Sequence, residues 1–274
     1  MMKEGAWERF LLWVGALAMA LFCLGPFLYM FAVSLSRRPD LIGAGGFTLA
    51  NYAAVLGTPS LHFTDYLRNS LVVSSLSAVV TVLIASMAAY AITRLEMKGK
   101  AAVLFFVLAV SMFPQVSLIG YLFKLMSDLG LINTYAALVA PYVAWILPLS
   151  LWILVSYFAQ IPRELDRAAL VDGCSPLQAL FKVILPVALP GVLSTALLCF
   201  IFAFNEFIFA LILTTDHAAR TIPVGIAMFQ GLHGEIPWGN IMAASAITTA
   251  PIMALTALFQ RHIVQGLTRG AVKG

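Results

Sequence analysis

The sequence predicts an all-α integral membrane protein with six transmembrane helices. Three observations predict it. The 274 residues are 62% hydrophobic and only 10% charged. Mean hydropathy is +0.97, with long runs that carry no charge. Six such runs reach the length of about 20 residues that a helix needs to cross hydrocarbon. Backbone groups in lipid must bond to one another, so each run is expected to be helical.

The expected spans are 10–35, 67–92, 101–127, 135–159, 187–214 and 240–260. The first is too long for a signal-peptide core and has no small-residue cleavage site at its end, so it reads as an uncleaved anchor. Pro26, Pro114, Pro148 and Pro251 fall inside spans. Each removes a helix hydrogen bond and is expected to bend its helix. Six spans put both termini on one side. With that side cytoplasmic, 11 of the 16 Lys and Arg lie inside, and Arg37, Arg38, Arg68, Lys124 and Arg220 lie on or near the outer side. The positive-inside rule favours this orientation.

The net charge of +4 does not indicate a nucleic-acid partner, because the cations sit in the short connectors that encode topology. The three cysteines are odd in number and have no metal spacing, so they read as small apolar filler. His62, His217, His233 and His262 are not paired at ligand spacing, and no metal is assigned. There is no HExxH, GxSxG or GxxxxGK[ST] stretch, so neither a catalytic constellation nor a phosphate cradle is present.

Between spans four and five the chain turns charged and amphipathic: DRAALVDGCSPLQALFKVILP, residues 166–186. A first helix is expected from Arg163 to Asp172, with Glu164 and Asp166 in its first turn, where acids complement the helix dipole. Leu165, Ala168, Ala169 and Asp172 share one face. Gly173 ends it as a residue that tolerates a left-handed cap. Ser175-Pro176-Leu177-Gln178 is a capping box with proline at the first helical position. The second helix carries Leu177, Leu180, Phe181 and Ile184 on its apolar face. Such a helix–turn–helix can lie in headgroups, pack under its own bundle, or face a soluble partner. The Ala168-Ala169 pair leans toward a partner, since small residues allow close approach.

This segment resembles the cytoplasmic loop of bacterial ABC-importer permeases, whose pattern is roughly E-A-A, then D-G-A, then F, I and L-P. The matching residues are Ala168-Ala169, Asp172-Gly173, Phe181, Ile184 and Leu185-Pro186. The resemblance runs through most of the chain. It includes Phe47-Thr48-Leu49 with Asn51-Tyr52, Asn69-Ser70, Ala88-Ala89-Tyr90-Ala91 with Arg94, and Met112-Phe113-Pro114. It continues through Gly130-Leu131 with Asn133-Thr134-Tyr135 and Pro223-Val224-Gly225 to the tail Gly266-Leu267-Thr268. These stretches look like the second, six-span permease of maltose- or trehalose-type sugar importers.

The resemblance implies a single transmembrane domain over 1–274 with the type I ABC importer fold. It implies a multi-pass protein of the bacterial cytoplasmic membrane with both termini inside. The partners would be a second homologous permease, an ATPase homodimer, an extracytoplasmic sugar-binding protein and membrane lipid. ATP and Mg would sit on the ATPase, with no cofactor on this chain. Loop 160–186 would dock on the ATPase through Glu164, Asp166, Arg167, Ala168, Ala169, Asp172, Gly173 and Phe181. The family's glutamate before the alanine pair is Arg167 here, which leaves Asp166 or Glu164 as the docking acid, or a different pairing.

Candidate pathway residues are Gln115, Ser117, Tyr121, Lys124, Trp145, Asn205 and Glu206. Gln115 and Ser117 follow Pro114, where a bent helix turns polar groups toward a cavity. Tyr121, Tyr142 and Trp145 offer the flat surfaces that sugar sites combine with hydrogen-bonding groups, or else pack or form an interface belt. An ionisable Glu206 inside span five is a functional hypothesis by default. The other reading is an interhelical bond or a pairing with Lys124. In the outer loop 215–239, Gly231, His233 and Trp238 are candidate binding-protein contacts by resemblance, or parts of an ordered connector. The basic tail is a positive anchor, or by resemblance an insert at the ATPase interface. The competing function is an ion-coupled secondary transporter of a small polar solute. It needs intramembrane carboxylates, and Glu206 is essentially the one offered.

Overall fold

A computed structural model of the chain describes residues 6–37, 46–229 and 236–271. It divides into two compact units, residues 1–63 with 228–250, and residues 64–227 with 251–274. The helices among the described residues follow the apolar runs. By length and composition four of them can cross a membrane, and six spans result if two sharply bent helix pairs each count as one.

In the first unit, α1 (Ala6–Ser34) is 29 residues long, roughly 44 Å at 1.5 Å per residue. Pro26 lies inside it without ending it. The short helix α2 (Ala50–Gly57) is tied to the end of α1 by side chains. Asn51 donates to the carbonyls of Ser34 (2.9 Å) and Ser36 (3.0 Å), and the hydroxyls of Ser34 and Tyr52 are 2.8 Å apart. Gly239 packs on the Asn51 side chain, where a Cβ would stand 2.7 Å from Oδ1.

The second unit holds nearly all of α3 (Phe63–Arg94), and then α4 (Lys100–Ser111), α5 (Ile119–Asp128) and α6 (Tyr135–Phe158). After these come α7 (Glu164–Val171), α8 (Pro176–Ala179), α9 (Leu185–Val187), α10 (Leu189–Phe204), α11 (Ile208–Leu213) and α12 (Ile222–Ala227). The last helix, α13 (Trp238–Ala271), starts in the first unit, runs on into the second and contains Pro251.

Two of the expected spans are broken. The third splits into α4 and the Gln115–Asp128 stretch, bent by 83°. Pro114 takes extended backbone (ψ 124°) there, and proline disfavours helix in the residue before it. The fifth was expected as one run over 187–214. Instead α10 ends at Phe204 and α11 begins at Ile208. α10 is 16 residues long, about 24 Å, shorter than a hydrocarbon core of about 30 Å. Its start is bent by 87° from the preceding Pro176–Val187 stretch. Pro148 and Pro251, by contrast, lie within continuous helices.

Two apolar clusters hold the second unit together. One joins Val73 of α3, Tyr142 and Ile146 of α6, Phe200 and Phe204 of α10, and Leu213 of α11. The other joins Ala89 and Tyr90 of α3 and Leu154 and Phe158 of α6 to Leu180, Ile184 and Ala188. This second cluster seats the amphipathic segment. α6 and α10 approach closely because Gly191 has no side chain: a Cβ there would stand 2.5 Å from the Tyr157 ring. Close approach through small residues is how helices associate in lipid, where no hydrophobic force drives them together.

Candidate functional site: an anchored helix–turn–helix

The segment after α6 folds as its caps dictate. α7 ends in a Schellman motif. The Cys174 N–H donates to the Ala169 carbonyl at 2.9 Å and the Gly173 N–H to the Leu170 carbonyl at 3.1 Å, with Gly173 at φ +86°. α8 starts in a reciprocal capping box. The Gln178 N–H donates to Ser175 Oγ at 3.3 Å, and the Ser175 N–H to Gln178 Oε1 at 2.9 Å. Residues Leu180–Ile184 then form a π-helical turn.

That turn changes the expected apolar face. Its wider i→i+5 bonding drives Leu180 and Ile184 into the core while Leu177 and Phe181 stay exposed. α7 differs as well. Asp166 and Ala169 point inward, whereas Leu165, Ala168, Leu170 and Val171 are exposed, Val171 at 88%. Glu164, Arg167 and Asp172 are exposed beside them. The segment therefore presents an apolar surface edged by charge, on a scaffold rooted in the second cluster.

Asp166 is not free to meet a partner. Its Oδ2 lies 2.9 Å from Arg94 Nε at the end of α3. Arg94 Nη2 also donates to the Ile161 carbonyl at 2.9 Å, and Arg163 Nη2 to the Thr93 carbonyl at 3.2 Å. Glu164 is left as the exposed acid in the first turn. The partnership of Arg94 was missed from sequence. Arg94 reads there as an inside cation, and nothing local specifies which acid it meets.

The candidate pathway residues do not gather into one cluster. Trp145 stacks edge-on against Phe202, with ring centroids 5.9 Å apart. The two rings line a groove of about 200 Å³ with Leu108, Ser111, Ile146 and Leu149. Gln115 and Ser117 lie on the turn after Pro114, and Tyr121 projects from α5 with 71% of its surface exposed. Tyr142 is buried, its hydroxyl beside Glu206. Lys124 does not pair with Glu206. It bonds Asp128 one turn on, at 3.0 Å. Asn205 Nδ2 caps its own helix by donating to the Ile201 carbonyl at 2.8 Å. Glu206, 5% exposed, accepts the Phe209 and Ala210 N–H groups that open α11.

Around the loop between α11 and α12, Asn69 Nδ2 donates to the His217 and Arg220 carbonyls at 2.9 and 3.0 Å, and Asn69 Oδ1 accepts the Tyr135 hydroxyl at 2.6 Å. The Ile222 N–H donates to Ser70 Oγ at 2.8 Å. Asn133 Nδ2 donates to Asp216 Oδ1 at 2.7 Å. Trp238 is exposed at the start of α13, and Gly231 and His233 lie outside the described residues.

The sequence profile of the family described as "Binding-protein-dependent transport system inner membrane component" matches residues 81–269, which include the whole helix–turn–helix. The chain belongs to this family of ABC-transporter permeases. The permease is 56% identical over 277 residues, and over the full length of both chains, to the trehalose/maltose transport system permease protein MalG of Thermococcus litoralis. It is 40% identical over 260 residues to the trehalose transport system permease protein SugB of Mycobacterium tuberculosis, covering 92% of this chain and 93% of that one. Among solved structures, a chain of a bacterial ABC transporter that imports alginate superposes with a TM-score of 0.79. It covers 95% of the permease and 99% of its own length at 21% identity, which speaks for the fold. Nothing in these likenesses supports ion coupling, and the one candidate carboxylate for it, Glu206, is engaged in capping α11.

Proposed function

We propose that the permease imports a trehalose- or maltose-class sugar as one of two permeases sharing a pathway, driven by a separate ATPase dimer that binds ATP and Mg. The observation that carries this reading is the anchored helix–turn–helix, whose exposed Leu165, Ala168, Val171, Leu177 and Phe181 face away from its own core. A surface of that kind, capped at both turns and held from behind, suits docking to a soluble partner better than burial under its own bundle. Full-length likeness to a trehalose/maltose permease supports the substrate class.

On this reading the segment lies in the cytoplasm, as do both termini, and the outer loop with Trp238 faces an extracytoplasmic sugar-binding protein. Glu164, Arg167, Ala168, Asp172 and Phe181 contact the ATPase, while Asp166, Ala169 and Gly173 shape the segment. Trp145 and Gln115 contribute wall to the pathway. The transport cycle is alternating access. The loaded binding protein and ATP shift the equilibrium because each binds one state more tightly than the other.

The test is ATPase activity of the purified complex in lipid, with and without binding protein and a panel of sugars, beside Gly173→Pro. Stimulation by one loaded binding protein, abolished in the variant, is expected. Sugar uptake with no ATPase in the purified complex would overturn the reading.

A further inference from the structure

α7 is covalently joined to α6 on one side and, through α8 and α9, to α10 on the other. A third link, to α3, is made by side chains alone. Arg94 and Asp166 form an ion pair whose side chains are 6% and 9% exposed. On either side of it Arg94 holds the Ile161 carbonyl and Arg163 holds the Thr93 carbonyl. The Tyr90 hydroxyl faces the same carboxylate. An exposed pair would be loose and screened. Opening a buried one strands a charge and so costs more than opening an exposed pair.

α3 is itself a 32-residue helix, about 48 Å long. Close to its opposite end, Asn69 holds the loop before α12 through two hydrogen bonds, and Ser70 accepts the N–H of Ile222, the first residue of α12. One continuous helix therefore connects the helix–turn–helix to the loop at its far end. Both junctions are built of buried polar side chains, and packed junctions of this kind switch between discrete arrangements and do not deform continuously.

We propose that Arg94 and Asp166 are positioning residues that fuse α7 to the end of α3, so that α3 carries the displacement of α7 to the loop at 214–221. The inference rests on the reading that the ATPase docks on this segment. Neither residue touches substrate or nucleotide. Their role is to make α3 follow α7, which the covalent connections to α6 and α10 do not do.

The experiment uses the complete complex in lipid nanodiscs, with its ATPase and binding protein. Spin labels are placed at Glu96→Cys, just past α3, and Leu170→Cys on α7, with Cys23, Cys174 and Cys199 replaced by alanine. In the wild-type pair the label distance is expected to be the same without nucleotide and with ATP trapped. In Asp166→Asn it is expected to broaden. Asp166→Asn and Arg94→Gln should still copurify ATPase, but sugar moved per ATP hydrolysed should fall about tenfold, within the range for a lost coupling between sites. The exchange Arg94→Asp with Asp166→Arg should restore most of it. A distance that changes on ATP trapping in the wild-type pair overturns the proposal, and needs no variant of the pair to fold. So does unchanged sugar per ATP in single variants that copurify ATPase. Absence of ATPase from the wild-type complex instead sinks the docking reading on which the proposal stands.

Discussion

The carboxylate of Glu206 accepts the backbone N–H of Phe209 at 2.8 Å, in the break between α10 and α11. Its second oxygen accepts the Ala210 N–H at 3.1 Å. The break after α10 leaves the first N–H groups of α11 without helical partners. Phe209 and Ala210 are buried, and buried N–H groups need a partner, which the Glu206 side chain supplies. Glu206→Ala should lose both bonds and cost about 1.5–3 kcal/mol, the scale for hydrogen bonds to a charged group. Glu206→Gln keeps one acceptor oxygen and should lose less. Thermal unfolding of the purified permease in detergent orders the two. Charge reversal at both Lys124 and Glu206 should rescue nothing, because Lys124 is bonded to Asp128.

Gly191 and Tyr157 set the spacing of α6 and α10. A methyl group on Gly191 would overlap the ring, 2.5 Å from Cδ2. Gly191→Ala should therefore destabilise by about 1–3 kcal/mol through overpacking. Tyr157→Leu in the same chain relieves the overlap, and the pair should fall short of additivity, as contacting residues do. Gly225→Ala should behave likewise, because a Cβ there falls on the Tyr66 ring. Unfolding midpoints of the single and double variants check both statements.

The caps of the helix–turn–helix were legible in the sequence because they are local. Ser175 with Gln178, and Gly173 after α7, state their geometry within a few residues. Proline did not by itself mark a break, since Pro26, Pro148 and Pro251 lie within continuous helices, but a bend at Pro114 was expected. The break after Phe204 was not, since no proline or glycine marks it. Its signal was Glu206, an acid in an apolar run, and the sequence does not distinguish a cap from an ion pair. The inward turn of Asp166 was equally hidden. Helical spacing put Leu165, Ala168 and Ala169 on one face, but Arg94, far away in the chain, fixes which side of α7 is inside. Long-range polar partners and the register shift of the π-turn at Leu180–Ile184 lie beyond pattern reading.

Asp216 gives the loop at 214–221 a pH dependence. Its carboxyl sits below the ordinary 3.8, chiefly because Oδ1 accepts the Ala218 N–H, and further because it accepts from Asn133. A lowered folded value means the stabilisation is complete above the unfolded value and disappears as pH falls through the folded one. Hydrogen-exchange protection at Ala218, corrected for intrinsic rate, should be flat from about pH 7 to about pH 5 and decline below about pH 4. Asp216→Asn should abolish the decline. Protection that falls equally in both would show that another group governs the loop.

Gly173 separates backbone strain from bulk. A Cβ on it meets nothing within 4 Å, yet its φ is +86°. Alanine is therefore opposed by conformation alone, at about 1–2 kcal/mol for a left-handed residue with a Cβ. Asparagine is larger but tolerates that region better, so Gly173→Asn should be the milder change. Proline cannot reach a positive φ and also removes the N–H that bonds the Leu170 carbonyl, so it should be the worst of the three. The order Asn, Ala, Pro in unfolding midpoint is the reverse of what crowding predicts for the first two. If Gly173→Ala proves milder than Gly173→Asn, the turn is limited by space against a partner and not by its own backbone.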